Sequence, residues 1–270
     1  MKNDIRVNSW DELQSTLYKI EKDRHNKYRS NFVYRGVGDE SWSLQTSLQR
    51  LGPHYRDVEG PLLRNFVKYA GPGELHTDML FFRLAVAQHH GLPTRVLDWT
   101  TSPRVAAHFV TWEEKDFEKD GAIWCVDIVR VRELLPPDLL DIINEERAYI
   151  FSIEMLDRYK TLSEFDLLGR GFVLFFEPPS LNGRIVNQAA VLSIMAGADL
   201  DLKAFLEKHD HLYKRIIIPK EIKWELRDKL DQDNVTERML FPGLDGTSRW
   251  LKRYYGPRSN APDARVDIPE

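Results

Sequence analysis

The chain contains a single cysteine, Cys125, among its 270 residues. One cysteine excludes a disulfide within the chain and a metal site built from clustered cysteines, and it is typical of proteins from a reducing compartment. The sequence also lacks an apolar run long enough to span a bilayer, and its first residues, MKNDIRVNSWDEL, lack the apolar core of a signal peptide. We therefore expect a cytoplasmic protein with no membrane partner and no bound metal.

Several familiar motifs are also missing, namely the GxxxxGK[ST] phosphate loop, the GxGxxG turn, the HExxH zinc helix and the GxSxG nucleophile elbow. The charge is nearly balanced, with 38 basic and 42 acidic side chains and a formal net charge of −4. This balance gives no bulk attraction to nucleic acids or acidic membranes, although a local basic groove is still compatible with it. The function must therefore be sought in less common groups of residues.

The order of helical and strand-like patterns predicts the fold class. Ser9 and Glu12 form a capping box before a helix, helical spacing recurs near residues 62–67 and 77–91, with Thr77 as the expected cap, and Ser102 precedes a proline as an N-cap would. Strand-like runs are FVYRGV, GAIWCVDIV, GFVLFFE, AAVLSIM and KRIIIP. Because helices and strands do not alternate regularly, we expect an α+β fold whose mixed, largely antiparallel sheet is flanked by helices.

The domain organisation is expected to be simple. A length of 270 residues with 42% hydrophobic and 30% charged residues suits one domain with a substantial core. The N-terminal helix lies within residues 1–29, and the domain spans residues 30–256. Residues 257–270, PRSNAPDARVDIPE, have no core-forming pattern, so we expect them to be disordered.

Four stretches carry groups that could form a site. Arg35 lies within an apolar run and is followed by Gly36, which allows another group to approach the backbone. A polar loop, QHHGLPTRVLDWTTS, follows a helix end, and Gln188 stands at the start of a strand. The fourth stretch, LFPGLDGTSRWL, is expected to form a turn around Asp245 and Gly246.

Each of these groups also has a structural interpretation. Arg35 could lie on the exposed face of a strand, Arg95 and Asp98 could pair with each other, and Ser102 could act only as a helix cap. The adjacent His89 and His90 point about 100° apart on a helix, which disfavours a shared metal ion.

Five segments together resemble one family, the FRG domain, which is named for a Phe-Arg-Gly or Tyr-Arg-Gly signature. Its counterpart here is Tyr34, Arg35 and Gly36. The segments are VYRGVGDESWSLQTSLQR, QHHGLPTRVLDWTTSPRVAAHFV, GAIWCVDI, RIVNQAAVLSI and ERMLFPGLDGTSRWL, which span about residues 30–255. In NQAAVL the chain departs from the family, because alanines stand at 189 and 190 where the family has a glycine followed by phenylalanine.

The order of the polar groups is also similar to that of ADP-ribosyltransferases with an Arg-Ser-Glu site. In that group the arginine holds the pyrophosphate of NAD, a Ser-Thr-Ser strand shapes the nicotinamide pocket, and the glutamate orients the ribose. The resemblance implies that Arg35 plays the first role and that Thr100, Thr101 and Ser102 play the second. Gln188 falls at the position of the glutamate, and Glu177 is the nearest carboxylate that could replace it.

We therefore expect an ADP-ribosyltransferase-like pocket that binds NAD or a related nucleotide, in a bacterial toxin or phage-defence effector. Arg35, Thr100 and Gln188 are the expected catalytic residues, and the expected ligand-binding residues are Tyr34, Gly36, His90, Arg95, Asp98, Trp99, Thr101 and Ser102. Because glutamine offers no negative charge to a developing cation, the resemblance favours binding over transfer, and it leaves enzymatic activity open. Two alternatives stay open, a protein that binds or processes RNA or DNA and a non-catalytic interaction module.

Overall fold

The computed structural model of the chain describes residues 2–20, 22–23, 25–180 and 182–258. Residues 259–270, most of the segment that we expect to be disordered, lie outside the described residues. No helix in the described ranges combines the length and the apolar character needed to cross a membrane.

A single mixed sheet forms the centre of the fold. Its strands, within the described residues, are β1 (Asp4–Arg6), β2 (Phe32–Val37), β3 (Leu97–Thr100), β4 (Gly121–Asp127), β5 (Val173–Phe176), β6 (Ala190–Met195) and β7 (Tyr213–Ile218). Their order across the sheet is β1-β7-β4-β2-β3-β6-β5. Only β1 and β7 run parallel, whereas the other five neighbouring pairs are antiparallel. The predicted α+β class with a mixed, largely antiparallel sheet is therefore confirmed.

The α-helices of the described residues pack around this sheet. They are α1 (Trp10–Leu17), α2 (Tyr55–Tyr69), α3 (Leu80–His89), α4 (Pro103–Val110), α5 (Ile128–Val131), α6 (Pro137–Glu145), α7 (Leu162–Asp166), α8 (Gly183–Asn187), α9 (Leu202–Lys208), α10 (Lys223–Gln232), α11 (Glu237–Leu240) and α12 (Leu244–Tyr255).

The two faces of the sheet are covered differently. On one face, Tyr34 and Ile123 pack against α1, α4 and α10, while Leu192 belongs to a second apolar cluster with α3, α6 and α7. The opposite face carries a third cluster, in which Trp99 and Trp124 pack with α9. Because two separate helix layers share the first face, a seam runs between them where β2 meets β3.

Two segments differ from the sequence-based expectation. Residues 97–100, expected in a loop, form β3, because all four pair with β6. Helix α2 begins at Tyr55, before the helical spacing predicted near residues 62–67, and it includes Pro61. Glu59 in this helix accepts hydrogen bonds from the buried Arg95, which is distant in sequence. Both segments make long-range contacts, which local sequence patterns do not reveal.

The N-termini of the helices show which of the capping residues predicted from local sequence are correct. Ser9 caps α1 as predicted, accepting a hydrogen bond from the backbone nitrogen of Glu12 at 3.2 Å. The Glu12 carboxylate, however, accepts from the backbone nitrogen of Asn8 at 2.8 Å, so the capping box is only half formed. Thr77 does not cap α3, whose N-cap is Met79. The Thr77 hydroxyl instead accepts from the backbone nitrogen of Met79 in the turn before the helix.

A buried charge network fixes the last three helices. Arg253 of α12 donates to both carboxylate oxygens of Glu237 in α11, at 2.6 and 2.8 Å, and to Asp231 in α10, at 2.7 and 2.8 Å. Burial alone would raise the pKa of Glu237, but the hydrogen bonds from Arg253 outweigh it and lower that pKa to about 2. Asp245 and Gly246, expected in a turn, lie in the first turn of α12.

The lowered pKa of Glu237 makes the stability of the fold depend on pH. A carboxyl group with a depressed pKa stabilises the fold fully above its unfolded pKa of 4.5, and this contribution disappears as the pH falls to about 2. We expect Glu237→Gln to lower the free energy of unfolding at pH 7 by about 3 kcal/mol, and to flatten its pH dependence below pH 5. Denaturant unfolding from pH 2.5 to pH 7 measures both effects.

The matched control is Asp228→Asn, because Asp228 forms an exposed ion pair with Arg258. Exposed pairs contribute at most about 1 kcal/mol, so this variant should unfold almost like the wild type. Equal losses in both variants would contradict the stabilising role of the buried network.

Candidate functional site

A cavity of about 210 Å³ opens at the seam between β2 and β3. Seven of the eleven residues predicted to form the site line it: Tyr34, Arg35, Gly36, Asp98, Trp99, Thr100 and Gln188. Three further residues of the described ranges also line it: Phe109, Arg184 and Ala190. The structure thus brings residues that are distant in sequence, from Tyr34 to Gln188, to one cavity, whereas their roles toward a ligand stay predictions.

Arg35 lies beside the shortest strand pairing of the sheet. Strands β2 and β3 pair only at Tyr34 and Thr100, whereas β2 and β4 pair along six residues. Strand alternation directs Arg35 away from the face of Tyr34, and its guanidinium donates to the backbone carbonyl of Asp98 at 2.6 Å. The side chain therefore bridges the interrupted ladder between β2 and β3. Burial lowers the pKa of Arg35, and the charge of Asp98 partly opposes this effect; arginine nevertheless stays charged at neutral pH.

Gly36 allows helix α4 to lie directly on the sheet. A Cβ atom at this position would lie 1.8 Å from the carbonyl oxygen of Ala106 in α4. No side chain can be accommodated at that distance, so the helix and the strand meet backbone to backbone. This close approach brings Phe109, three residues further along α4, to the cavity wall.

Thr100 and Gln188 are joined to each other. The Thr100 hydroxyl donates to the backbone carbonyl of Gln188 at 2.6 Å and accepts from the backbone nitrogen of Ser102 at 3.0 Å. The Gln188 amide donates to the carbonyl of Leu240 at 3.0 Å, which ties α8 to α11. Gln188 was expected at the mouth of a strand, and it is the C-cap of α8, directly before β6. These bonds hold the Gln188 side chain at the cavity wall.

Ala189 adopts the left-handed backbone conformation that favours glycine, with φ of 45°. Its carbonyl accepts a hydrogen bond from the backbone nitrogen of Thr101, which fixes the segment to the end of β3. In the departing segment NQAAVL, an alanine therefore occupies a position whose left-handed backbone conformation a glycine would adopt without strain.

Replacing Ala189 with glycine should stabilise the fold. A left-handed alanine costs about 1–2 kcal/mol, while the extra freedom of glycine in the unfolded chain costs about 0.5–1 kcal/mol. We expect Ala189→Gly to raise the free energy of unfolding by about 0.5–1 kcal/mol, measured by denaturant unfolding. The control is Ala190→Gly, at a strand position with ordinary backbone angles, which should lower it. A loss of stability in both variants would contradict strain at Ala189.

Arg184 was missed by the sequence analysis. It lies four residues before Gln188, on the same face of α8, and this spacing is the signal that could have revealed it. Its guanidinium lies 4.8 Å from the ring centre of Phe241, and that ring lies 4.7 Å from the ring of Trp112. Phe109 also contacts Phe241 edge to face. Aromatic contacts therefore hold Arg184 at the cavity, and its guanidinium forms no hydrogen bond with the described part of the chain.

Four predicted residues lie outside the cavity. Arg95 is buried and binds Glu59 and Asp166 instead of Asp98. His90 lies at the end of α3 and lines a different, larger groove of about 480 Å³ between α2 and α3. That groove is mainly apolar and contains no other predicted site residue.

Thr101 and Ser102 are the other two predicted site residues that lie outside the cavity. The Thr101 side chain is exposed, and the Ser102 hydroxyl accepts from the backbone nitrogen of Val105 at 3.4 Å as the N-cap of α4. Trp99 lines the cavity, but its indole nitrogen donates to Ser193 in the core on the other face of the sheet. Glu177, the suggested replacement carboxylate, follows the edge strand β5 and does not line the cavity.

The capping role of Ser102 can be measured directly. We expect Ser102→Ala to lower the free energy of unfolding by about 0.5–1 kcal/mol, because the cap hydrogen bond is long, and Ser102→Asp to be tolerated as an alternative cap. Thr101→Ala is the matched control, and it should change stability by less than about 0.5 kcal/mol. Equal unfolding free energies of Ser102→Ala and Thr101→Ala would contradict the cap.

The charges around the cavity favour an anion. Arg35 and Arg184 are both half-buried in its wall, and Asp98 is the one carboxylate among its described lining residues. His89 lies nearby and bonds Asn182, but burial, together with the charge of Arg184, lowers its pKa, so it adds no positive charge at neutral pH. The guanidinium groups offer planar sets of N–H donors, which match phosphate oxygens.

Comparison with known proteins gives one family. Residues 30–119 match the family model described as the FRG domain. The match contains β2, β3 and α4, three of the elements that build the cavity, and it confirms the FRG resemblance over these residues. No characterised protein and no solved structure matches the chain.

Proposed function

We propose that this chain, which carries an FRG domain at residues 30–119, binds a phosphate-bearing nucleotide such as NAD or ADP-ribose in the cavity at the β2–β3 seam. The observation that carries the proposal is the pair of arginines, Arg35 and Arg184, which line the same cavity from different elements. The described wall carries two guanidinium groups and one carboxylate, that of Asp98, so its excess positive charge favours the binding of an anion.

The guanidinium donors support this proposal. Among the described residues, Arg35 directs one nitrogen to the carbonyl of Asp98, which leaves its other donors unused, and the donors of Arg184 have no protein acceptor. A phosphate group bound between them would accept several charge-assisted hydrogen bonds. The half-buried Phe109 offers apolar surface to a sugar or a base on the same wall.

The size of the cavity limits which part of the ligand it encloses. Pockets that enclose drug-sized ligands measure roughly 300–1,000 Å³, whereas this cavity measures about 210 Å³. A whole dinucleotide therefore extends beyond it, and the enclosed part corresponds to a sugar with its phosphate.

We propose binding rather than ADP-ribosyl transfer. An ADP-ribosyltransferase-like arrangement is supported by the order of Arg35, Thr100 and Gln188 along the chain and by their meeting in one cavity. Transfer is less favoured, because Gln188 is neutral where a carboxylate would stabilise an oxocarbenium-like transition state. The biological setting that the resemblance implies, and that we include in the proposal, is a bacterial toxin or a phage-defence effector.

The two arginines are the test of this proposal. Arg35→Lys and Arg184→Lys keep the charge but lose the planar fork, so each should weaken binding of ADP-ribose or NAD by about 1.5–3 kcal/mol, or roughly 10- to 150-fold in Kd. Isothermal titration calorimetry gives the affinities, and thermal unfolding shows whether the variants are folded. Arg258→Lys, at an exposed ion pair outside the cavity, is the matched control and should bind like the wild type.

The outcomes separate the proposal from its alternatives. Wild-type affinity in both lysine variants would contradict it. Binding of a short RNA or DNA that weakens steeply between 50 and 200 mM salt, without nucleotide binding, would favour the nucleic-acid alternative. A folded wild-type protein that binds none of these ligands would favour a non-catalytic interaction module.

A further inference from the structure

We infer that Asp98 selects for ligands with a free ribose hydroxyl by accepting a hydrogen bond from it. This inference rests on the proposed function, because it assumes that the cavity holds a sugar phosphate. It adds a specificity determinant, since it predicts which nucleotides the cavity rejects.

A chain of hydrogen bonds fixes the orientation of the Asp98 carboxylate. The backbone nitrogen of Val96 donates to the Thr94 hydroxyl at 3.1 Å, and that hydroxyl donates to the Gln88 amide oxygen at 2.6 Å. The Gln88 amide nitrogen then donates to Oδ2 of Asp98 at 2.7 Å. Gln88 is therefore held in one amide orientation, and it holds one oxygen of Asp98 in turn.

The second carboxylate oxygen is available to a ligand. The Asp98 side chain is exposed at the cavity, and within the described residues Oδ1 has no hydrogen-bond or ion-pair partner. Arg35 donates to the backbone carbonyl of the same residue and forms no hydrogen bond with its carboxylate. A carboxylate of fixed orientation with one unused oxygen is an acceptor for a hydroxyl group.

The charges of the lining residues indicate which part of the ligand each of them contacts. Arg35 and Arg184 attract the phosphate, whereas Asp98 repels it and accepts hydrogen bonds only. A ribose phosphate matches both requirements, because its phosphate and its ring hydroxyls lie on different sides of the sugar. A ligand with a phosphate on the ring hydroxyl, or without that hydroxyl, loses the contact with Asp98.

The test compares ligands and variants in a double cycle by calorimetry. The probes are ADP, 2′-deoxy-ADP and 3′-deoxy-ADP, and the proteins are wild type, Asp98→Ala and Asp98→Asn. In the wild type we expect removal of the recognised hydroxyl to weaken binding about 10-fold or more. In Asp98→Ala the same removal should change Kd less than about 2-fold, because the acceptor is already absent. Asp98→Asn keeps the size and one acceptor oxygen, and its discrimination should be reduced relative to the wild type.

Two controls make the result decisive. Thermal unfolding of each variant separates misfolding from lost binding, and Asp245→Ala removes an exposed carboxylate of α12 that does not line the cavity. Equal discrimination between ADP and its deoxy analogues in wild type and both Asp98 variants would overturn this inference while leaving nucleotide binding intact. Failure of the wild type to bind ADP, ADP-ribose and NAD would instead overturn the proposed function.

Discussion

The backbone contact between helix α4 and strand β2 is the constraint on which the site depends. The carbonyl oxygen of Ala106 occupies the space that a side chain at residue 36 would need, 1.8 Å from the ideal Cβ position. The segment that connects β3 to α4 consists of Thr101 and Ser102, and Ser102 caps the helix. The cavity opens at the seam next to this contact.

Arg35 serves the fold and the proposed site with the same guanidinium. One nitrogen donates to the Asp98 carbonyl across the place where the β2–β3 ladder is interrupted. Its other donors have no acceptor among the described residues, and Arg35 lines the cavity. A backbone carbonyl fixes the position of the guanidinium and leaves its charge in place. A carboxylate partner would fix the position and also neutralise the charge. Arg95 illustrates the other case, because its two acidic partners, Glu59 and Asp166, make it a structural residue.

The local part of the site follows from the sequence, and the long-range part does not. The Tyr-Arg-Gly signature, the cap at Ser102 and the strand that follows Gln188 all have signals within a few residues. Arg184 has only a weak signal, its spacing from Gln188, because what places it at the cavity is the ring of Phe241 from a segment 57 residues away. The same limit explains why Arg95 was expected to bind a ligand. Its partner Glu59 lies in the part of α2 that precedes the helical spacing near residues 62–67.

The sequence by itself determined the α+β class, most strands, the cap of α4 and the family to which residues 30–119 correspond. These properties depend on hydrophobic periodicity, turn chemistry and short motifs, which act over a few residues. Only the tertiary structure decided that β3 is a strand, that Arg184 and Phe109 complete the cavity and that His90 faces another groove. These outcomes depend on which distant segments pack together, and a local pattern carries no information about its eventual neighbours.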